Sequence, residues 1–262
     1  SVEAVCDAGR PESRFGRSFS ARRLANAIGR RSKTLAKRTM NKNNLYWPPA
    51  VTVDVVIFTI ENGALKVLLI RRPEKPFANK WALPGGFLFK NETSAEAAKR
   101  ILKDKAGVNN VYLEQLYTFD DPNRDPRGHV LTVSYFALVN FGKIKFLGKD
   151  AQTPTFHPTG QLPKLAFDHK EIVNYSVRRL RYKLEYTNAV YSILPANFTF
   201  GELQQVHETI LDKKMDKRNF RKKFMSLGLI KSVNKKLTGA RQRPAELFRF
   251  AIQKPRELKR FL

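Results

Sequence analysis

The spacing of apolar positions changes several times along the chain, and each change marks an element. The run AVTVDVVIFTI at 50–60 is rich in β-branched residues and predicts a strand. Asn62-Gly63 is a hairpin-turn dipeptide, and LKVLLIRR predicts the returning strand. NVYLEQLYTF and HVLTVSYFALV, at 110–119 and 129–139, predict two more strands. Between the two pairs the period lengthens to that of a helix over 94–106. Thr93 and Glu96 have the spacing of a capping box at its start, and Gly107 stands where it should end. Ala95, Ala98, Leu102 and Ala106 form its expected buried stripe.

Residues 141–164 read as loop with strand fragments. A second helix is expected over 168–183, with Ile172, Tyr175 and Leu180 among its apolar positions, and a short one near 188–194. The character then shifts. Thr199 and Glu202 make another capping box, followed by GELQQVHETIL with Leu203, Val206, Ile210 and Leu211 on one face. The four-residue turn DKKM leads to a helix over 216–227, whose inner face carries Phe220, Phe224 and Leu227. Gly228 ends it, and the strands LIKSV and AELFRF flank the loop NKKLTGARQRP.

Charge changes the picture. The 262 residues carry a formal net charge of +26. A field of that sign favours polyanions: nucleic acid, anionic membrane or phosphorylated ligands. No apolar run reaches the ~20 residues that cross a bilayer, so a soluble, cytoplasmic protein without a membrane partner is expected. The single cysteine, Cys6, excludes a disulfide framework and suits a reducing compartment. Residues 1–39 hold ten Lys or Arg against three acids, and no stable fold is expected there. A transit peptide, a DNA-contacting arm, or a stretch upstream of a true start at Met40 all fit that segment.

Candidate phosphate chemistry begins at Gly86. Gly86, Glu92, Arg100, Leu102, Gly107 and Val108 follow one another at the spacing of the Nudix box, G-x5-E-x7-R-E-U-x-E-E-x-G-U, and over 48–183 the chain resembles the Nudix superfamily. In active Nudix hydrolases the carboxylates of the box hold divalent cations against a diphosphate. The corresponding positions here are Ile101, Asp104 and Lys105, which share one helical face. Isoleucine cannot ligate Mg²⁺, and a lysine puts positive charge where the cation would sit. The resemblance therefore implies a pocket without efficient catalysis: no catalytic residue, no required cofactor, residual Mg²⁺ at most. Lys105 can itself pair with a diphosphate. YTFDDPNRDPRG and RRPEKPFANKWALPGGF resemble the Nudix proteins that handle ADP-ribose. Arg71, Arg72, Gly86, Asp104, Lys105, Arg124 and Arg127 are the expected effector-binding residues. His129, His157 and His169 lack metal-ligand spacing, and Asp168-His169 reads as a helix cap.

Candidate DNA chemistry lies in 198–262, with seventeen Lys or Arg against six acids. Lys217, Arg218, Arg221 and Lys222 stand opposite Phe220 and Phe224, and Asn219 at that edge suits adenine. Lys235, Lys236, Arg241 and Arg243 surround Gly239 in the last loop. Helix, short turn, basic helix and basic hairpin make a winged helix-turn-helix plan. With the Nudix-like part before it, the arrangement is similar to the Nudix-related transcriptional regulators. That resemblance implies an α+β chain: a Nudix α/β/α sandwich with a mixed sheet over 48–183, then a winged helix-turn-helix over 186–262. It further implies a homodimeric repressor of NAD-cofactor genes, binding double-stranded operator DNA and sensing ADP-ribose or a related nucleotide sugar. An active Mg²⁺-dependent ADP-ribose pyrophosphatase and a regulator of sugar utilisation are the alternatives.

Overall fold

The computed structural model describes residues 48–145, 154–237 and 245–258, with the backbone alone at 235–237. The expectation for 1–39 lies outside these residues. From Pro49 onward the described residues form one compact unit.

Strand β1 (Ala50–Glu61) is the axis of the first half. Asn62 and Gly63 have φ of 53° and 73°, the left-handed pair a tight hairpin turn requires, and return the chain as β2 (Ala64–Arg71). Two short strands follow, β3 (Trp81–Ala82) and β4 (Gly85–Phe87). Next come α1 (Ser94–Ala106), β5 (Tyr112–Phe119), β6 (Val130–Leu138) and β7 (Thr155–Pro158). The mixed sheet runs β3-β2-β1-β6-β5, with β4 on β1 and β7 on β2. β1 and β6 are parallel; the other pairs are antiparallel.

Both faces of β1 are covered, which is why its apolar run is nearly unbroken. Val53, Val55 and Ile57 meet α1; Val56 and Phe58 face the opposite cluster. α1 starts and ends where its caps predict. Thr93 and Glu96 each bond the other's backbone amide, and Gly107 closes the helix at φ 63°. Its buried stripe differs from the expected one. Ala97, Ala98, Ile101, Leu102 and Ala106 face the sheet, and Ala95 is exposed. The helix is rotated so that Ile101, the bulkiest apolar side chain on it beside Leu102, fills the layer against β1.

On the other face lies α2 (His169–Leu184). A 3-10 turn (Ala189–Ser192) leads into β8 (Phe198–Thr199), α3 (Phe200–Leu211), α4 (Lys217–Ser226), β9 (Ile230–Leu237) and β10 (Ala245–Phe250). The last three strands form a sheet in the order β8-β10-β9. One apolar cluster runs unbroken from Val56 and Phe58 through Ile172, Leu180 and Leu184 to Leu203, Ile210, Phe220, Phe224 and Phe248. The two halves therefore share a core across the stretch at 184–198. The chain after β10 also returns to this stretch: Asn188 donates its side-chain amide to the Lys254 carbonyl and accepts from the Arg256 amide.

Candidate functional site

A cleft opens beside β1, lined by Thr52, Asp54, Arg72, Gly85, Gly86, Phe87, Arg124, Asp125, Arg127, Phe167 and His169. Asp54 is the one acid in the buried middle of β1, so its carboxylate needs polar company. Gly85 faces it across the β1–β4 pairing, and a Cβ there would collide with Asp54 Oδ1. Only glycine leaves the carboxylate its space at this point.

Arg124 reaches this carboxylate from the β5–β6 loop. Its Nε and Nη2 donate to Asp168 Oδ2 and Oδ1 at 2.7 and 2.6 Å, and Nη2 lies 3.7 Å from Asp54 Oδ2. The pair is bidentate and the Arg124 side chain is almost wholly buried. Burial alone would lower the Arg124 pKa, but its hydrogen bonds to Asp168 and the nearby carboxylates hold it above its usual value. His169 accepts the Leu83 amide at Nδ1, 2.9 Å away, which leaves the ring proton on Nε2, 3.8 Å from Asp54 Oδ2. Burial pushes the His169 pKa down, outweighing the pull of Asp54, so the ring is neutral at pH 7.

At the mouth, Arg127 holds Asp125 with two parallel hydrogen bonds, 3.0 and 2.6 Å. Burial would raise the Asp125 pKa, yet the side-chain and backbone bonds from Arg127 bring it below the usual range. The Arg127 guanidinium lies 5.3 Å from the Phe87 ring and 5.8 Å from the Phe167 ring. Arg72 lies over the same Phe167 ring at 4.8 Å, its Nε given to the Pro76 carbonyl. Burial and the neighbouring Arg127 charge lower the Arg72 pKa. Phe167 adopts φ 52°, a left-handed conformation unusual for a bulky residue, and so offers its ring to both guanidiniums. Two cations against one aromatic ring, in a cleft that also holds a buried carboxylate and a neutral histidine, suit a ligand with an anionic group, a flat ring and hydroxyl donors.

The effector residues expected from sequence divide. Arg72, Gly86, Arg124 and Arg127 line the cleft; Arg71, Asp104 and Lys105 do not. Arg71 is adjacent to Arg72 on a strand, so it points the other way, stacking on Trp81 at 4.4 Å and donating to the Asn79 carbonyl. Asp104 and Lys105 are exposed in the last turn of α1, although they share a helical face with the buried Ile101. Asp168 sits at the N-cap position of α2 but makes no side-chain capping bond, and His169 belongs to the cleft, so the expected helix cap gives way to a role at the cleft. Asp54, Phe87 and Phe167 are cleft residues without a counterpart among the expected site residues, while Asp125 stood only within the loop pattern and Asp168 and His169 only as a helix cap.

The Nudix box is intact in its scaffolding. Glu92 and Arg100 form a bidentate pair at 2.7 and 2.8 Å, Glu92 also accepts the Phe89 amide, and Arg100 stacks on Phe89 at 3.9 Å. The Arg100 hydrogen bonds hold the Glu92 pKa low. Ile101 is buried and apolar, Glu92 is committed to Arg100, and no group of three or more His, Cys, Asp or Glu fit to hold a metal exists among the described residues.

The second surface is α4. Asp216 caps it, accepting the Asn219 amide at 2.8 Å. The turn before it is locked by Glu208, which accepts from the Met215 amide, Gln204 and Lys214. Phe220 and Phe224 face inward onto Phe200 and His207. The other side of the helix is exposed and basic. Lys217, Arg218, Asn219 and Lys222 project there, and Lys217, Arg218 and Lys222 make no ion pair with the described residues. Arg221 is partly committed: it lies 4.9 Å over Phe200 and 3.5 Å from Glu246 on β10. The side chains of Lys235 and Lys236, and the whole of Arg241 and Arg243, lie outside the described residues.

Two family models match: a NUDIX domain over residues 48–175 and an NrtR DNA-binding winged helix domain over 190–250. The ADPR responsive transcriptional repressor NtrR of Acinetobacter baylyi is 38% identical over 79% of this chain and 84% of its own length. An ADP-ribose pyrophosphatase of Methanocaldococcus jannaschii is 40% identical over 58% of this chain and 89% of its own. The crystal structure of Shewanella oneidensis NrtR complexed with a 27mer DNA superposes with a TM-score of 0.70 at 35% identity, covering 76% of this chain and 93% of that one. With a Nudix half, a winged-helix half and a repressor relative matched through both, the chain belongs to the NrtR family of Nudix-related transcriptional regulators.

Proposed function

We propose that this protein is an ADP-ribose-responsive transcriptional repressor that acts in the cytoplasm as a homodimer. Duplex operator DNA is its macromolecular partner and NAD-cofactor genes are its targets. The observation that carries the reading is the face of α4, where Lys217, Arg218, Asn219 and Lys222 stand clear of the domain on a helix pinned from behind by two phenylalanines. A helix so presented enters a major groove, with cations on phosphates and an amide free for a base edge. The cleft around Arg72, Arg127 and Phe167 takes the effector, its guanidiniums holding the diphosphate and Asp54 accepting from a hydroxyl or amine.

The same reading makes the Nudix half a sensor that works without a metal. A second reading, a Mg²⁺-dependent pyrophosphatase, draws on the M. jannaschii relative. Ile101 and Lys105 stand against it, since neither can ligate Mg²⁺. Incubation of the protein with ADP-ribose and Mg²⁺, followed by chromatography for AMP and ribose 5-phosphate, separates the two. Binding by calorimetry without product is the expected result. Efficient release of AMP that is lost in Asp104→Ala would overturn the sensor reading.

A further inference from the structure

Asp168 occupies the N-cap of α2, where an aspartate ordinarily turns its carboxylate onto an amide of the first helical turn; here the backbone, at φ −88° and ψ 12°, is not extended as a capping residue's is, and the Glu171 amide bonds the Asp168 carbonyl at 2.8 Å. The carboxylate makes no such bond. Both its oxygens are held by Arg124 instead, at 2.7 and 2.6 Å. One carboxylate thus faces a choice between a guanidinium that lines the cleft and the positive end of its own helix. An anion bound in the cleft competes for Arg124 and would leave Asp168 to its helix.

The other end of α2 is tied to the DNA-binding half. Arg181 Nε donates to the Ile210 carbonyl in the last turn of α3 at 2.9 Å. Its guanidinium also approaches Asp212, the left-handed residue that ends α3, at 3.9 Å. That ion pair is exposed and weak, so the hydrogen bond is the directional link. Between the ends, Ile172, Val173, Leu180 and Leu184 lie in one apolar cluster with Leu203, Val206 and Ile210. A sixteen-residue helix is about 24 Å long, so the two ends are well separated yet joined by a rigid element. A small displacement at the cleft end must therefore move packed neighbours at the other.

We propose that α2 couples the cleft to the DNA-binding helices, switched by Asp168 exchanging Arg124 for its own helix N-terminus when an anionic effector engages Arg124. The proposal rests on the ADP-ribose reading above. Linkage then requires ADP-ribose to prefer the exchanged state and operator DNA the state with Arg124 and Asp168 paired.

The test uses the full chain, ADP-ribose, and a duplex that the protein itself enriches from random DNA. The quantity read is the ratio of duplex Kd with saturating ADP-ribose to that without it, expected at about 5–150 for the unaltered protein. Arg181→Met touches neither ligand; each separate affinity should stay within about threefold while the ratio collapses toward one. Arg181→Lys keeps a donor and should restore part of the ratio, and it is the variant to read should the methionine variant not fold. Asp168→Asn retains a capping side chain but no charge for Arg124, so it should bind ADP-ribose more tightly and show a reduced ratio. A full ratio in both Arg181 variants, or an Asp168→Asn protein with unaltered ADP-ribose affinity and ratio, overturns the coupling through α2. A ratio of one in the unaltered protein removes the ADP-ribose reading and the coupling with it, so the two failures are distinguishable.

Discussion

His207 gives the sharpest handle on the DNA-binding half. It lies on α3 with its ring against both Phe220 and Phe224, at 5.2 and 5.5 Å, fully enclosed, and its Nδ1 donates to the Leu203 carbonyl at 2.9 Å. Burial lowers its pKa from 6.5 to about 4, and the Leu203 bond offsets only part of that. A histidine with a depressed folded pKa is neutral in the fold and protonated first in the unfolded chain. Acid therefore favours the unfolded state as pH falls through the unfolded value, and the loss levels off near the folded value. The full difference corresponds to about 3 kcal/mol, of which about 2 kcal/mol appears between about pH 7.5 and about pH 5. Urea unfolding of the protein and of His207→Asn at both pH values isolates it. Other groups titrate alike in the two proteins, and any packing loss from the substitution is the same at both pH values. The protein should lose about 2 kcal/mol more than the variant on acidification. Parallel losses would show that the ring is not buried against the two phenylalanines, and α4 would then lack this support.

Further outcomes follow from the same geometry. Arg218→Ala with Lys222→Ala should weaken operator binding by about tenfold or more and lower the slope of log Kd against log salt by about two, measured by anisotropy over a salt series. An unchanged slope would remove these side chains from the phosphates. Gly85→Ala places a methyl group against Asp54 Oδ1 and 2.9 Å from the Val53 carbonyl oxygen, and should cost about 1–3 kcal/mol in thermal unfolding together with a loss of ADP-ribose affinity by calorimetry. Full affinity in that variant would place the ligand away from Asp54.

Much of the architecture was legible because it is written in local signals. α1 has a reciprocal capping box at one end and a left-handed glycine at the other, so its bounds could be read without tertiary information. The same holds for the Asn62-Gly63 hairpin, the Thr199–Glu202 cap and the Phe220/Phe224 face of α4. The cleft was only half legible. Its arginines stand in a recognisable loop, but their partners come from afar: Asp168 is 44 positions from Arg124, and His169 is 86 from Leu83. Asp54 did leave a trace, as a lone acid inside an apolar strand, which signals a buried charge with a purpose. In the sequence Ile101 stands only as a missing ligand, and its second role as a core residue shows only once the rotation of α1 is known. β8 is two residues long, too short for any periodicity to reveal.

The central claim is that one chain both holds operator DNA through α4 and releases it when ADP-ribose fills the cleft. Fluorescence anisotropy of a labelled operator, saturated with protein and titrated with ADP-ribose without Mg²⁺, tests it most directly. A saturable fall in anisotropy, with an apparent duplex affinity weakened by about 5–150-fold, is the expected result. An operator that stays bound at saturating ADP-ribose, with binding of the ligand verified by calorimetry, would contradict it.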